Sequence, residues 1–179
     1  KEKTAYDTTA KIFKLVSAVS EKIGGVNASY LNKQSPQLRK QNKIRTIHSS
    51  LQIEGNPLSE DHVTAIIDHK KVIGPQKDIT EVMNAIKVYD NLDKFDPVSE
   101  RSFLRAHKIL MHRLIDNPGR YRIKGVGIIK GSKVEHLAPP HKHIPSLMQD
   151  LFNYLKDKNE LAMIRRCVFH FEMEFINPF

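Results

Sequence analysis

The chain has 179 residues of which 40% are hydrophobic, enough for one globular domain with a real core. No run of 18 apolar residues is present, and Lys1-Glu2-Lys3 opens an amphipathic segment, so neither a membrane span nor a signal peptide is predicted; the single cysteine, Cys167, excludes an internal disulfide and multi-cysteine zinc sites and fits a reducing, cytoplasmic setting. The net charge of +9 is concentrated early, with ten Lys/Arg against three Asp/Glu in residues 1–50, but no aromatic-interleaved basic motif raises nucleic acid above a solvated basic face.

Residues 5–24 read as a first helix with the stripe Ile12, Leu15, Val16, Val19 and Ile23, ended by Gly24-Gly25. Val26 to Pro36 reads as a connection. A second helix follows, with Ser35 as N-cap, Pro36 at the first helical position and Ile44, Ile47 and Leu51 on one face. Gly55 supplies its left-handed C-cap and Pro57 forbids continuation. Ser50 and Glu54, four apart, share a face. Glu54 meets the negative end of the helix dipole there, at a cost of about 0.3–1 kcal/mol. Water would satisfy it; so would an arginine brought from elsewhere.

Ser59 caps a short helix with Glu60 and Asp61 in its first turn and Val63, Ile66 and Ile67 inside, broken by Gly74-Pro75. The next helix turns Val82, Met83, Ile86, Tyr89 and Leu92 to the core and ends before Asp96-Pro97. Ser99 caps a helix lined by Phe103, His107, Leu110, Met111 and Leu114. His107 in that stripe reads as a hydrogen-bonded core histidine rather than a ligand, and His112 does not share its face.

After Asn117-Pro118-Gly119 the period changes. Tyr121 to Ile129 and Val134 to Leu137 read as a β-hairpin turning at Gly131-Ser132. A two-stranded hairpin is marginal alone, so it must lean on helices, and its edges are free to pair with an extended peptide. His141 and His143 lack a third ligand at suitable spacing, so no metal site is predicted. Ile144, Leu147, Met148, Leu151, Phe152 and Leu155 mark a helix with Pro145 near its start. The last helix starts near Glu160, with Leu161, Ile164, Val168, Phe171 and Phe175 inward and Arg165 and Arg166 outward. Seven or so helices and one hairpin make an all-α domain with a β insertion. The apolar ending Phe175-Ile176-Asn177-Pro178-Phe179 predicts that more chain follows.

Ser50-Leu51-Gln52-Ile53-Glu54-Gly55 resembles the inhibitory motif of Fic-domain proteins, Ser/Thr-x-x-x-Glu-Gly/Asn. Phe171-x-x-x-Phe175-Ile176-Asn177-Pro178-Phe179 is similar to the approach to that family's core motif, His-Pro-Phe-x-Asp/Glu-Gly-Asn-Gly-Arg-x-x-Arg. Gly119-Arg120-Tyr121-Arg122 resembles the segment before the family's target-docking hairpin, the flap. Pro139-Pro140 with Ile144-Pro145-x-Leu147-Met148-x-x-Leu151 resembles the segment after it. The matches keep the family's order over residues 38–179. They divide the chain into an N-terminal helix and connection, 1–36, and a Fic-like domain, 37–179, truncated at the core motif.

The resemblance implies an all-α Fic-like fold with one small hairpin, whose flap residues are Gly127, Ile128, Ile129 and Lys130. It implies a protein adenylyltransferase that moves AMP from ATP, with Mg²⁺, to a Ser, Thr or Tyr hydroxyl of a target protein docked on the hairpin edge; a further copy of the chain is the other partner considered. In the family the inhibitory Glu, here Glu54, flanked by Ser50 and Gly55, pairs with an Arg of the nucleotide site and displaces the γ-phosphate. The catalytic His deprotonates the hydroxyl, and Asn177 stands in its place. A carboxamide cannot accept that proton near neutral pH. The Mg²⁺ ligand, the phosphate-cradling turn and both arginines would lie beyond Phe179, so the chain as given is expected neither to transfer AMP nor to hold ATP well. The alternative is a non-catalytic Fic-like module that regulates or binds peptide.

Overall fold

A computed structural model describes residues 7–29, 35–131 and 133–179. In chain order the elements are α1 (Ala10–Ser29), α2 (Pro36–Ile53), α3 (Glu60–Ile67), α4 (Gln76–Tyr89), α5 (Glu100–Leu110), β1 (Gly127–Lys130), β2 (Lys133–Leu137), α6 (Ile144–Leu155) and α7 (Ala162–Ile176), with 3-10 turns at Leu92–Lys94 and His141–His143. The fold is helical with one hairpin, as the residue pattern predicts. The chain divides into two units, Lys1–Arg39 and Lys40–Phe179.

In the first unit α1 differs from its predicted span. It starts later, where the Thr9 hydroxyl accepts from the Ile12 N–H, and runs through Gly24-Gly25 to Ser29. Each glycine costs about 1 kcal/mol relative to alanine but keeps its N–H, so the ladder continues where a proline would break it. Part of the predicted connection, residues 30–34, lies outside the described residues. Ser35 caps α2 as expected, its hydroxyl accepting from the Leu38 N–H.

The second unit has two apolar clusters. Ile44 and Ile47 of α2 meet Val63 of α3 and Val82 and Ala85 of α4. Ile144, Met148, Leu151, Phe152 and Leu155 of α6 meet Ile176 of α7, with Phe103 of α5 and Phe169 packed against them. Ser59 and Ser99 cap α3 and α5 as predicted, and His62 completes a capping box with Ser59. The α3 helix stops at Ile67, before Gly74-Pro75, as the chain turns through His69 at φ 56°.

Five inward assignments and one outward assignment are corrected. On α4, Met83 faces out and Asn84 is buried at 1% exposure, because its amide donates to the carbonyls of Leu110 (3.0 Å) and His112 (2.8 Å) at the end of α5. Leu92, beyond the helix, is exposed. On α7, Leu161, Phe171 and Phe175 are exposed, while Phe169 packs edge-on to Phe152 at 5.3 Å between centroids. The α7 sequence carries two apolar stripes, Ile164/Val168/Phe171/Phe175 and Phe169/Met173/Ile176, separated by its charged residues, so spacing alone does not choose between them. Arg165 is half-buried rather than outward, its guanidinium donating to the Leu155 carbonyl at 2.6 Å and closing the end of α6.

Candidate functional site

The segment around Glu54 is shaped by a helix stop of the Schellman type. The Asn56 N–H donates to the Leu51 carbonyl and the Gly55 N–H to that of Gln52, each at 3.0 Å, with Gly55 at φ 88°. Asn56 then locks the turn. It is 5% exposed, donates to the Asp78 carbonyl (3.1 Å) and the Glu81 carboxylate (2.9 Å), and accepts from the Leu58 N–H (3.1 Å). Sequence reasoning missed Asn56; its position just before a proline marks a turn but does not name its distant partners. Ser50 and Gly55 are exposed. Glu54, also exposed, lines a cleft of about 480 Å³ with Leu51, Lys77, Glu81, Leu110, Met111, Leu114 and Ile115. Lys77 and Glu81, one turn apart on α4, pair at 3.7 Å.

A second cleft, about 300 Å³, is walled by Ile115, His107, Arg120, Tyr121, Arg122 and Phe179 among others. Ile115 therefore lines both clefts. The phenol of Tyr121 donates to Glu100 at 2.7 Å, and burial together with that carboxylate holds its pKa well above the ordinary phenol value. His107 accepts from the Gly119 N–H at 2.9 Å, and burial lowers its pKa. It is a hydrogen-bonded histidine of the core stripe, as its sequence context suggests.

Asn177 caps α7 in the left-handed region, φ 45° and ψ 69°, and its N–H donates to the Met173 carbonyl. Asn is among the few residues that tolerate this backbone. Arg122 grips the turn: Nε donates to the Asn177 carbonyl (2.6 Å), Nη2 to that of Ile176 (3.2 Å), and its own N–H to that of Pro178 (2.9 Å). The same guanidinium donates to the carbonyls of Lys124 and Pro139. No sequence signal announces this contact, which spans 55 residues.

The predicted first strand is shorter than expected. Tyr121 to Val126 make no strand, because Tyr121 and Arg122 are turned to these partners, and β1 begins at Gly127. It pairs antiparallel with β2, with Gly127 opposite Leu137, Ile128 opposite His136, Ile129 opposite Val134 and Lys130 opposite Lys133; the register shifts between Ile128 and Ile129. Gly131 turns the chain at φ 61°, while Ser132 lies outside the described residues. Gly127 is required, since a Cβ there would sit 2.9 Å from the His136 carbonyl. The hairpin leans on α7 through His136, whose Nε2 lies 2.9 Å from the Phe175 carbonyl.

Residues 97–179 match the family model described as the Fic/DOC family. They form a Fic/DOC family domain. The chain is similar, at 43% identity and TM-score 0.88, to the crystal structure of a Fic family protein from Desulfovibrio desulfuricans, covering 99% of this chain and 55% of that one. It shares its fold with a Fic domain containing signaling protein from Bacteroides thetaiotaomicron (19% identity, TM-score 0.66, 81% of this chain and 60% of that one). The same holds for Fic-1 from C. elegans (20% identity, TM-score 0.70, 95% and 55%). The chain thus spans a little over half the length of these solved structures. No curated protein matches the chain. Of the expected site residues, the Fic domain holds the hairpin and Asn177; Ser50, Glu54 and Gly55 precede it. Among the described residues no helix is long and apolar enough to cross a membrane.

Proposed function

We propose that this chain is part of a Fic-type protein adenylyltransferase restrained by Glu54. The observation that carries the reading is the placement of Glu54: a Schellman turn and Asn56 fix the segment in which it lines a cleft, and Ile115 of that cleft also lines the one walled by Phe179. In this reading the family's core motif starts at the end of α7, and among the described residues Ile115 is the one that links the cleft of Glu54 to the cleft lined by Phe179. In the transfer, the target's hydroxyl oxygen forms a bond to the α-phosphorus of ATP, the bond from that phosphorus to the bridging oxygen breaks, and pyrophosphate leaves. The hydroxyl proton passes to a base at position 177, a role that Asn177 cannot fill. The hairpin edge around Gly127, Ile128, Ile129 and Lys130 holds the target as an added strand. ATP with Mg²⁺ is the nucleotide this reading implies. Among the described residues no group of three or more His, Cys, Asp or Glu converges to hold the ion, so no step is assigned to it here.

The test is transfer of label from α-labelled ATP to protein by the full-length protein carrying Asn177→His and Glu54→Gly. Labelling is expected, and restoring Glu54 should suppress it. Silence from the double variant rejects the reading and favours the second one, a peptide-binding module without chemistry, for which the carboxamide at 177 is the specific observation.

A further inference from the structure

Four of the five guanidinium hydrogens of Arg122 are placed on carbonyls, and those carbonyls belong to three separate stretches of chain. Nη1 reaches Lys124, on the stem leading into β1, at 2.7 Å. Nη2 reaches Pro139, on the stem leaving β2, at 2.8 Å, and Ile176 at 3.2 Å. Nε reaches Asn177 at 2.6 Å, and the backbone N–H of Arg122 closes on Pro178. The peptide groups on both sides of the Asn177 Cα are therefore held by one residue. Holding both fixes φ and ψ at 177, and with them the direction of its Cα–Cβ bond. A left-handed backbone costs a residue with a Cβ about 1–2 kcal/mol, so it persists only where its surroundings over-determine it. A cation at a helix C-terminus also offsets the partial negative charge of the last carbonyls.

We propose that Arg122 is a positioning residue: it sets the direction of the side chain at 177 and ties that direction to both stems of the hairpin. A peptide that moves the stems on docking then moves the group at 177 with them. For the transfer reaction this rests on the reading given under Proposed function; the mechanical part does not. Lysine cannot replace Arg122, because one ammonium on a flexible stem cannot reach carbonyls on three stretches at once.

Two measurements test it. In nitrogen-15 NMR spectra of this chain, Arg122→Lys and Arg122→Met are each expected to shift the amide resonances of Asn177, Phe179 and Ala138 together while those of Met148 and Leu151 in α6 stay in place. An unmoved Asn177, or α6 resonances moving to the same extent, overturns the proposal; if Arg122→Met does not fold, Arg122→Lys carries the comparison. In the full-length protein with Asn177→His and Glu54→Gly, Arg122→Lys is expected to lower turnover on the order of 10²-fold at an unchanged KM for ATP. Full turnover with lysine overturns the role in catalysis. If the parent double variant transfers no AMP, the transfer reading falls, and the spectra alone decide whether Arg122 positions residue 177.

Discussion

The imidazole of His107 lies flat on the ring of Phe179, centroids 3.6 Å apart and planes 6° from parallel. Phe103 and Tyr121 complete the aromatic surround at 5.4 and 5.7 Å from Phe179. Nδ1 of His107 accepts from Gly119, so that nitrogen carries no proton and the ring is neutral in the fold.

Stability should therefore fall in mild acid. Burial lowers the His107 pKa below its ordinary value near 6.5, so the unfolded chain takes up the proton first. Its contribution is intact above about pH 6.5, shrinks as pH falls towards the folded pKa, and levels off below it. Urea midpoints measured between pH 7.5 and 5 should show this slope, and His107→Phe should flatten it. An unchanged slope in the variant would remove His107 as its source.

Two glycines with positive φ should differ. At Gly119, φ 80°, a Cβ would fall 2.7 Å from the Lys108 Cβ and 2.8 Å from the Leu104 carbonyl; at Gly55, φ 88°, it would meet nothing within 4 Å. Gly55→Ala should cost about 1–2 kcal/mol, the left-handed strain alone. Gly119→Ala should cost more, because backbone must move as well. Equal losses in denaturant titrations would contradict the close approach at Gly119.

Asn84 should be hard to replace. Asn84→Ala leaves the Leu110 and His112 carbonyls without their donor and should cost about 1–3 kcal/mol. Asn84→Asp should cost more, since a buried carboxylate would face two carbonyl oxygens and would have to take up a proton. Equilibrium unfolding of the pair at pH 7, with aspartate the weaker, checks the assignment.

The orientation of α7 is tested by neighbours on opposite faces. Phe169→Ala opens the cluster with Phe103 and Phe152 and should cost at least about 2 kcal/mol. Phe171, 67% exposed, should change stability by no more than about 0.5 kcal/mol when cut to alanine. The reverse order would put α7 back in the orientation that spacing alone suggests.

Capping residues and stops were legible from residue type, because a cap is a local bargain between one side chain and the nearest backbone N–H groups. Ser35, Ser59, Ser99 and Gly55 each behave as their neighbours in the chain require. The helical class, the single hairpin and the family likeness follow from similarly short-range patterns. What only the tertiary structure decided are contacts between stretches far apart in the chain: Asn84 on the end of α5, Asn56 on α4, the face that α7 buries, and Arg122 on the turn at Asn177. A polar side chain that satisfies carbonyls 17 to 55 residues away leaves no periodic trace, since its partner is a backbone atom that every residue has. For the same reason the sequence by itself could mark Glu54 as an acid in an awkward place, but only the packed helices set it in the lining of a cleft that shares Ile115 with the one lined by Phe179.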